Sequence, residues 1–204
     1  MTARRLARPL AALVLAVALA PVAAAQDTPA APPPAPMGPP TAIVVSGPEV
    51  GMKAPDFTAP WADKNGVGAA DTDFSLKALT GQVVVLAFYP ADFTSGCTAE
   101  MRTFTNRYDS LIGDAVLVGI STDSLGSHVR FAQSLGMPFK LLSDPKQRIA
   151  AKYGAKGSEG YNRRVVYVIG RDGKVAWREM QFGATDPKAY DRLQAAIASA
   201  RVAS

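Results

Sequence analysis

Residues 82–89, QVVVLAFY, run apolar and largely β-branched, with no polar side chain between Val83 and Phe88. An extended strand turns successive side chains to opposite faces, so a strand apolar at every position has to be covered on both. That excludes a sheet with one wet face. Three more segments share the character: 115–121 (AVLVGIS), 139–143 (FKLLS) and 164–170 (RVVYVIG). The turn RDGK joins the last of these to 174–180 (KVAWREM), which predicts an antiparallel hairpin. Stretches with helical patterning at 98–111, 127–135, 146–153 and 187–200 separate and follow the strands. Strand, helix, strand, helix, then a hairpin and a closing helix specify an α/β fold, a three-layer sandwich around a central mixed sheet.

The region before this pattern is of a different kind. Residues 1–25 have a basic start (MTARRLAR), an apolar middle (PLAALVLAVALA) and small residues at 23–25, which predicts a secretory signal peptide. The apolar run 10–25 has 16 residues and contains Pro21. A membrane-spanning helix needs about 20, so a cleaved leader is favoured over an uncleaved membrane anchor. Residues 26–48, beginning QDTPAAPPPAPMGPP, hold almost no large apolar side chain and are expected to form an Ala/Pro-rich disordered linker. The folded domain is then expected over 49–204, enough chain for one core, in a periplasmic or secreted protein. The formal charge of +5 falls to +2 once Arg4, Arg5 and Arg8 leave with the leader. That mild charge, with no basic run interleaved with aromatics, argues against a nucleic-acid partner.

Exported proteins ordinarily use cysteines in pairs, yet this chain has one, Cys97, in YPADFTSGCTAE. The stretch follows the first strand and leads into a helix, so Cys97 is expected in the first helical turn at the carboxyl edge of the sheet. Free backbone N–H groups and the helix dipole there favour an anion, which for cysteine is the thiolate. Bringing a thiol from about 8.5 to about 6 takes roughly 3.4 kcal/mol, whereas a helix end supplies about 0.3–1 and at most about 2. A second cation therefore has to come from elsewhere in the fold. Ionisation alone gains only about thirtyfold, so fast chemistry also needs groups aimed at the transition state.

Each of these residues also has a purely structural reading. A lone cysteine can be a small buried hydrophobe. Thr94 or Ser95 can serve only to cap the helix, Pro90 only to end the strand, and Arg164 only as half of a surface ion pair. His128, in SHVRF, reads as structural or solvent-facing. One cysteine and one histidine give no cluster with metal-ligand spacing, and no cofactor is expected. GAKGSEG at 154–160 follows a helix and leads into a strand, the reverse of a phosphate cradle, and reads as a flexible connector.

PADFTSGC fits the pattern Pro-x-x-x-Thr-x-x-Cys and resembles the active-site motif of peroxiredoxins. The longer FYPADFTSGCTAE is most similar to the bacterioferritin-comigratory (PrxQ) branch of the AhpC/TSA superfamily. GMKAPDFTAP, LVGISTDSLGSHVRFAQSLGMPFKLLSD and RRVVYVIGRDGKV resemble the same family. The resemblance implies a thioredoxin-like fold and a thiol peroxidase that reduces hydrogen peroxide or small organic hydroperoxides. Position by position, Cys97 matches the peroxidatic nucleophile, which becomes a sulfenic acid. Thr94 matches the residue that hydrogen-bonds the peroxide, and Pro90 the one that shields the site from water. Arg164, rather than Arg163, matches the family arginine, the missing cation, and Glu100 a position that orients it.

Many relatives carry a second, resolving cysteine, commonly a few residues along the same helix, where this chain has Arg102. The sulfenic acid then has to be reduced by an external thiol, thioredoxin-like, glutaredoxin-like or small, or by a Cys97 to Cys97 bridge between subunits. The external thiol is preferred, because a pocket that shields a peroxide does not readily admit a second copy of itself. The assembly is expected to be a monomer or homodimer. Residues 61–74, WADKNGVGAADTDF, run long for the family and are expected to alter the rim. The alternative is a catalytically inactive thioredoxin-like binding module tethered in the cell envelope. Disulfide exchange needs Cys-x-x-Cys, and the window here is TSGC.

Overall fold

The computed structural model describes residues 47–202. The leader expected at 1–25 and all but the end of the linker expected at 26–48 lie outside the described residues. Gly47 and Pro48, assigned to the linker by composition, are buried against the domain, where Arg178 Nη1 donates to their carbonyls at 3.0 and 3.2 Å. Packed chain thus begins at least two residues before the expected boundary. Among the described residues no helix is long and apolar enough to cross a membrane.

In chain order the elements are β1 (Thr58–Ala59), β2 (Trp61–Asp63), β3 (Gly66–Val67), β4 (Phe74–Ser75), β5 (Val84–Phe88) and α1 (Ser95–Asn106). A π-helical turn (Tyr108–Ile112) leads to β6 (Val116–Ser121), α2 (Leu125–Leu135), β7 (Lys140–Ser143) and α3 (Arg148–Lys152). The chain closes with β8 (Val165–Ile169), β9 (Val175–Glu179) and α4 (Pro187–Val202). The main sheet has seven strands in the order β3-β2-β7-β6-β5-β8-β9. β5, β6 and β7 are parallel, connected through α1 and α2, while β8, β9, β2 and β3 each join antiparallel.

The uninterrupted apolar strands have the two-sided cover they require. Val83, Val85, Ala87 and Tyr89 face a core built with Cys97, Met101 and Phe104 of α1, Phe131 of α2, and Tyr190, Leu193 and Ile197 of α4. Val84, Leu86 and Phe88 face the other core, with Ile149 and Tyr153 around α3 and with Phe57, Phe74 and Leu76. Part of this second cover comes from a two-stranded ribbon, Thr58 opposite Ser75 and Ala59 opposite Phe74, that periodicity did not predict. Residues 61–74, expected to alter the rim, build the β2–β3 hairpin that extends the sheet past β7, with Trp61 Nε1 donating to Thr72 O at 2.6 Å.

Helix starts differ from the expectations for identifiable reasons. α2 begins two residues early because Ser124 caps it, accepting from the Ser127 N–H at 3.3 Å, and it ends at Gly136 in the left-handed conformation. α3 is shorter than expected: Asp144 accepts from the N–H groups of Arg148, Ile149 and Ala150 at 2.8–2.9 Å and fixes its first turn.

Candidate active site

β5 delivers its chain to the carboxyl edge of the sheet, where the Tyr89 N–H still bonds Ile120 O at 3.1 Å. The chain then makes a tight turn over residues 91–94, with Phe93 at φ +59° and the Thr94 hydroxyl donating to Ala91 O at 3.1 Å. α1 starts at Ser95, three residues before the expected start, because Thr94 stands at the N-cap position in extended conformation. Its hydroxyl does not cap the helix, so the capping reading of Thr94 holds for position only. The first ladder bond runs from the Thr98 N–H to Thr94 O at 2.8 Å. The N–H groups of Ser95, Gly96 and Cys97 thus precede the ladder and belong to the electropositive end of α1.

Cys97 is fully buried against the α1 core, which by itself also fits an inert thiol. The Arg164 Nη2, 3.4 Å from its Sγ, distinguishes the site from such a pocket. Arg164 Nη1 meanwhile donates to Glu100 Oε2. Glu100 lies three residues after Cys97 and so on the same helix face, letting one guanidinium bridge both side chains. The guanidinium crosses close over the helix start, since a Cβ on Gly96 would lie 3.3 Å from Arg164 Nη2.

Strand register explains why Arg164 and not Arg163 reaches the thiol. β8 pairs antiparallel with β5, Phe88 opposite Val165, which puts Arg164 at the edge where β5 gives way to the Cys97 loop. Side chains alternate along β8, with Val165 in the core under α3 and Val166 in the core under α1. Arg164 therefore shares the α1 face. Arg163 turns the other way and donates to Gly154 O and Met180 O at 3.4 Å.

The electrostatics of the pair are uneven because Glu100 is fully enclosed while Arg164 keeps 18% of its side-chain surface. Burial pushes the Glu100 carboxyl up to about 7, and the Arg164 charge only partly offsets this. Burial also pulls on Arg164, but Glu100 and then the Cys97 thiol outweigh it, and the guanidinium stays charged. Both groups are raised, which keeps Arg164 charged but favours the neutral acid at Glu100, because burial outweighs the mutual attraction only at Glu100, whose side chain has lost all its water. Glu100 Oε1 has no hydrogen-bond partner among the described residues.

The structure thus brings Cys97, Arg164 and Glu100 into contact. It places Thr94 exposed and Pro90 half-buried on the loop that carries the cysteine. It also reveals a group the sequence reading passed over. Asp92, in the middle of that loop, accepts from Tyr89 Oη at 2.7 Å and lies 2.9 Å from His128 Nδ1. Its N–H donates to Asp123 Oδ2 at 2.9 Å, and that carboxylate also accepts from Ser121 Oγ at 2.7 Å. His128, read as structural or solvent-facing, is fully buried. Its place on α2 three and four residues before the buried Phe131 and Ala132 was the available signal.

The AhpC/TSA family model matches residues 50–178. Peroxiredoxin Bcp of Bacillus subtilis is 30% identical over 143 residues, covering 65% of this chain and 87% of that protein. Among solved structures, peroxidoxin BcpB of Mycobacterium tuberculosis superposes with a TM-score of 0.64 at 30% identity, over 76% of this chain and 99% of that one. The Xanthomonas campestris bacterioferritin comigratory protein, solved in connection with its alkyl peroxide reduction activity, superposes at 0.59 with 26% identity, over 70% of this chain and 92% of that one. The expected thioredoxin-like architecture is therefore present, and the chain belongs to the AhpC/TSA family as a peroxiredoxin of the bacterioferritin-comigratory (PrxQ) branch.

Proposed function

We propose that Cys97, held as a thiolate by Arg164, attacks the terminal oxygen of hydrogen peroxide or a small organic hydroperoxide. Family membership makes the chain a thiol peroxidase, and its one cysteine fits a one-cysteine mechanism. The observation that carries the proposal for these residues is the 3.4 Å contact between Arg164 Nη2 and Cys97 Sγ. As the S–O bond forms and the O–O bond breaks, negative charge builds on the departing oxygen, which leaves with a proton as water or an alcohol. Arg164 is placed to stabilise both the thiolate and that charge. The Thr94 hydroxyl and the unladdered Cys97 N–H orient the peroxide, Pro90 keeps water out, and Glu100 holds Arg164 in place.

Cys97 is left as a sulfenic acid. An external thiol attacks its sulfur with loss of water, and a second thiol releases Cys97 from the mixed disulfide. Alkyl peroxide reduction by the Xanthomonas relative supports including organic hydroperoxides among the substrates. The basic, apolar and small-residue order of 1–25 supports an exported protein with the domain on an Ala/Pro-rich tether. A tethered binding module gives no reason for a guanidinium to rest on the only thiol.

Mass spectrometry after one equivalent of peroxide tests the proposal. The expected product gains one oxygen on Cys97, whereas a doubled mass that reverts with reductant would replace the external-thiol route by bridging between subunits. Cys97→Ser is expected to abolish peroxide consumption and Arg164→Ala to lower it by roughly a hundredfold or more. Unchanged turnover in either removes that residue from the mechanism.

A further inference from the structure

We propose that His128 and Asp92 form a positioning pair that sets the peroxide-binding loop, acting on Thr94 and not on the thiolate. The inference rests on the functional reading above and goes beyond it, since neither residue touches Cys97 or Arg164 through any described hydrogen bond.

The loop between β5 and α1 needs an external hold. Phe93 sits at φ +59°, a conformation that costs an L-residue with a bulky side chain on the order of 1–2 kcal/mol. α2 supplies the hold with two side chains three residues apart on one face. The Phe131 ring meets Phe93 with centroids 4.9 Å apart, and His128 Nδ1 meets the Asp92 carboxylate at 2.9 and 3.2 Å. From the other side the Asp123 carboxylate takes the Asp92 N–H, and the Ser143 hydroxyl donates to Asp123 O at 2.6 Å. Asp92 and Phe93, the two residues before Thr94, are thus clamped by side chains of α2 and of the β6–α2 connection.

The contacts of His128 place a proton between the two side chains. Nδ1 faces carboxylate oxygens at 2.9 and 3.2 Å, which accept, so a proton lies between it and Asp92. Nε2 lies 3.3 Å from Leu142 O. Without that proton a lone pair would face a carboxylate with both side chains essentially out of water, at 0% and 1% exposure. The charged and titratable groups facing the pair are Tyr89 and Asp123. Burial, and then Asp92, pushes the Tyr89 phenol well above its ordinary value, so it stays a donor to Asp92. An asparagine at 92 would supply the same bond from its amide N–H to a neutral His128 and still accept from Tyr89. It therefore preserves the clamp without the shared proton.

The test compares two reactions of Cys97 in the full chain: oxidation by hydrogen peroxide, which uses Thr94, and alkylation by iodoacetamide, which does not. His128→Ala and Asp92→Ala are expected to slow oxidation at least tenfold without a matching fall in alkylation, the same pattern as Thr94→Val. Asp92→Asn is expected to oxidise within threefold of the wild type. Oxidation reduced less than tenfold in the alanine variants overturns the inference. So does alkylation falling in step with oxidation, which would mean the loss runs through Arg164 or the fold. So does Asp92→Asn behaving like Asp92→Ala. Should His128→Ala fail to fold, the two Asp92 variants carry the same comparison. A wild-type protein inert to peroxide would sink the functional reading itself, before any variant is made.

Discussion

Glu100 occupies a position that costs stability and is retained at the site. Its carboxyl, fully buried with one oxygen unpartnered among the described residues, is pushed up to about 7 from an ordinary 4.5. A raised acid binds its proton more tightly in the folded than in the unfolded chain between those values, so its contribution to stability falls as pH rises from about 4.5 to about 7. The loss is complete above that window and on the order of a few kcal/mol. Urea unfolding at pH 5 and pH 8 is therefore expected to show a larger drop for the wild type than for Glu100→Gln, which has no carboxyl to ionise. Equal drops in the two proteins would mean that Arg164 already holds the carboxylate ionised at pH 5. The meeting of Cys97, Arg164 and Glu100 was legible in the sequence because a spaced motif and a turn anchor their positions; the roles of Thr94 and Pro90, on the same loop, stay part of the proposal. The pairing of Asp92 and His128 was not legible, because it spans 36 residues and depends on α2 lying against the loop.

At the scale of an element, the first turn of α1 trades helix quality for access. Gly96 is its second residue, and glycine costs a helix interior about 1 kcal/mol relative to alanine. An alanine there would place its Cβ 3.3 Å from Arg164 Nη2, tight enough that the guanidinium has to give way. Gly96→Ala is expected to hold or raise the melting temperature while slowing Cys97 oxidation several-fold, read from thermal unfolding and the rate with hydrogen peroxide. A variant as fast as the wild type would mean that Arg164 adjusts without losing the thiol. β5 to β8 were legible because largely apolar runs need two covered faces whatever surrounds them, and β9 because the RDGK turn leads into it. β1 to β4 were not: strands of two or three residues show no period, and their pairing is decided by which face of the sheet remains open. Helix starts missed by two or three residues at α1 and α2, where Thr94 and Ser124 fix the cap positions and pattern alone does not.

The whole molecule separates chemistry from closure by the two faces of one sheet. Cys97, Arg164 and Glu100 lie with the α1 core, whereas Tyr167 in the opposite core packs beneath the entering chain, its hydroxyl donating to Tyr153 O at 2.8 Å. The entering chain also pairs with the start of the outer edge strand. The Gly51 N–H donates to Val175 O at 2.8 Å, the Val175 N–H to Met52 O at 2.9 Å, and the Ala54 N–H to Gly173 O at 3.0 Å, so the turn before β9 and its first residue are bonded on that side. Arg178, on β9, fastens that segment through Gly47 O, Pro48 O and Glu49. Hydrogen bonds from a charged donor are worth about 1.5–3 kcal/mol when enclosed, discounted here because Glu49 is exposed. Arg178→Ala is therefore expected to lower stability by about 1–3 kcal/mol in urea and to speed amide exchange at Gly51, Ala54 and Val175. Its rate of Cys97 oxidation should match the wild type, because the strands between the two faces are paired on both sides and transmit little of a loosened edge. A slowed oxidation in that variant would show that the edge and the thiol are coupled through the sheet, and that the two faces do not work independently.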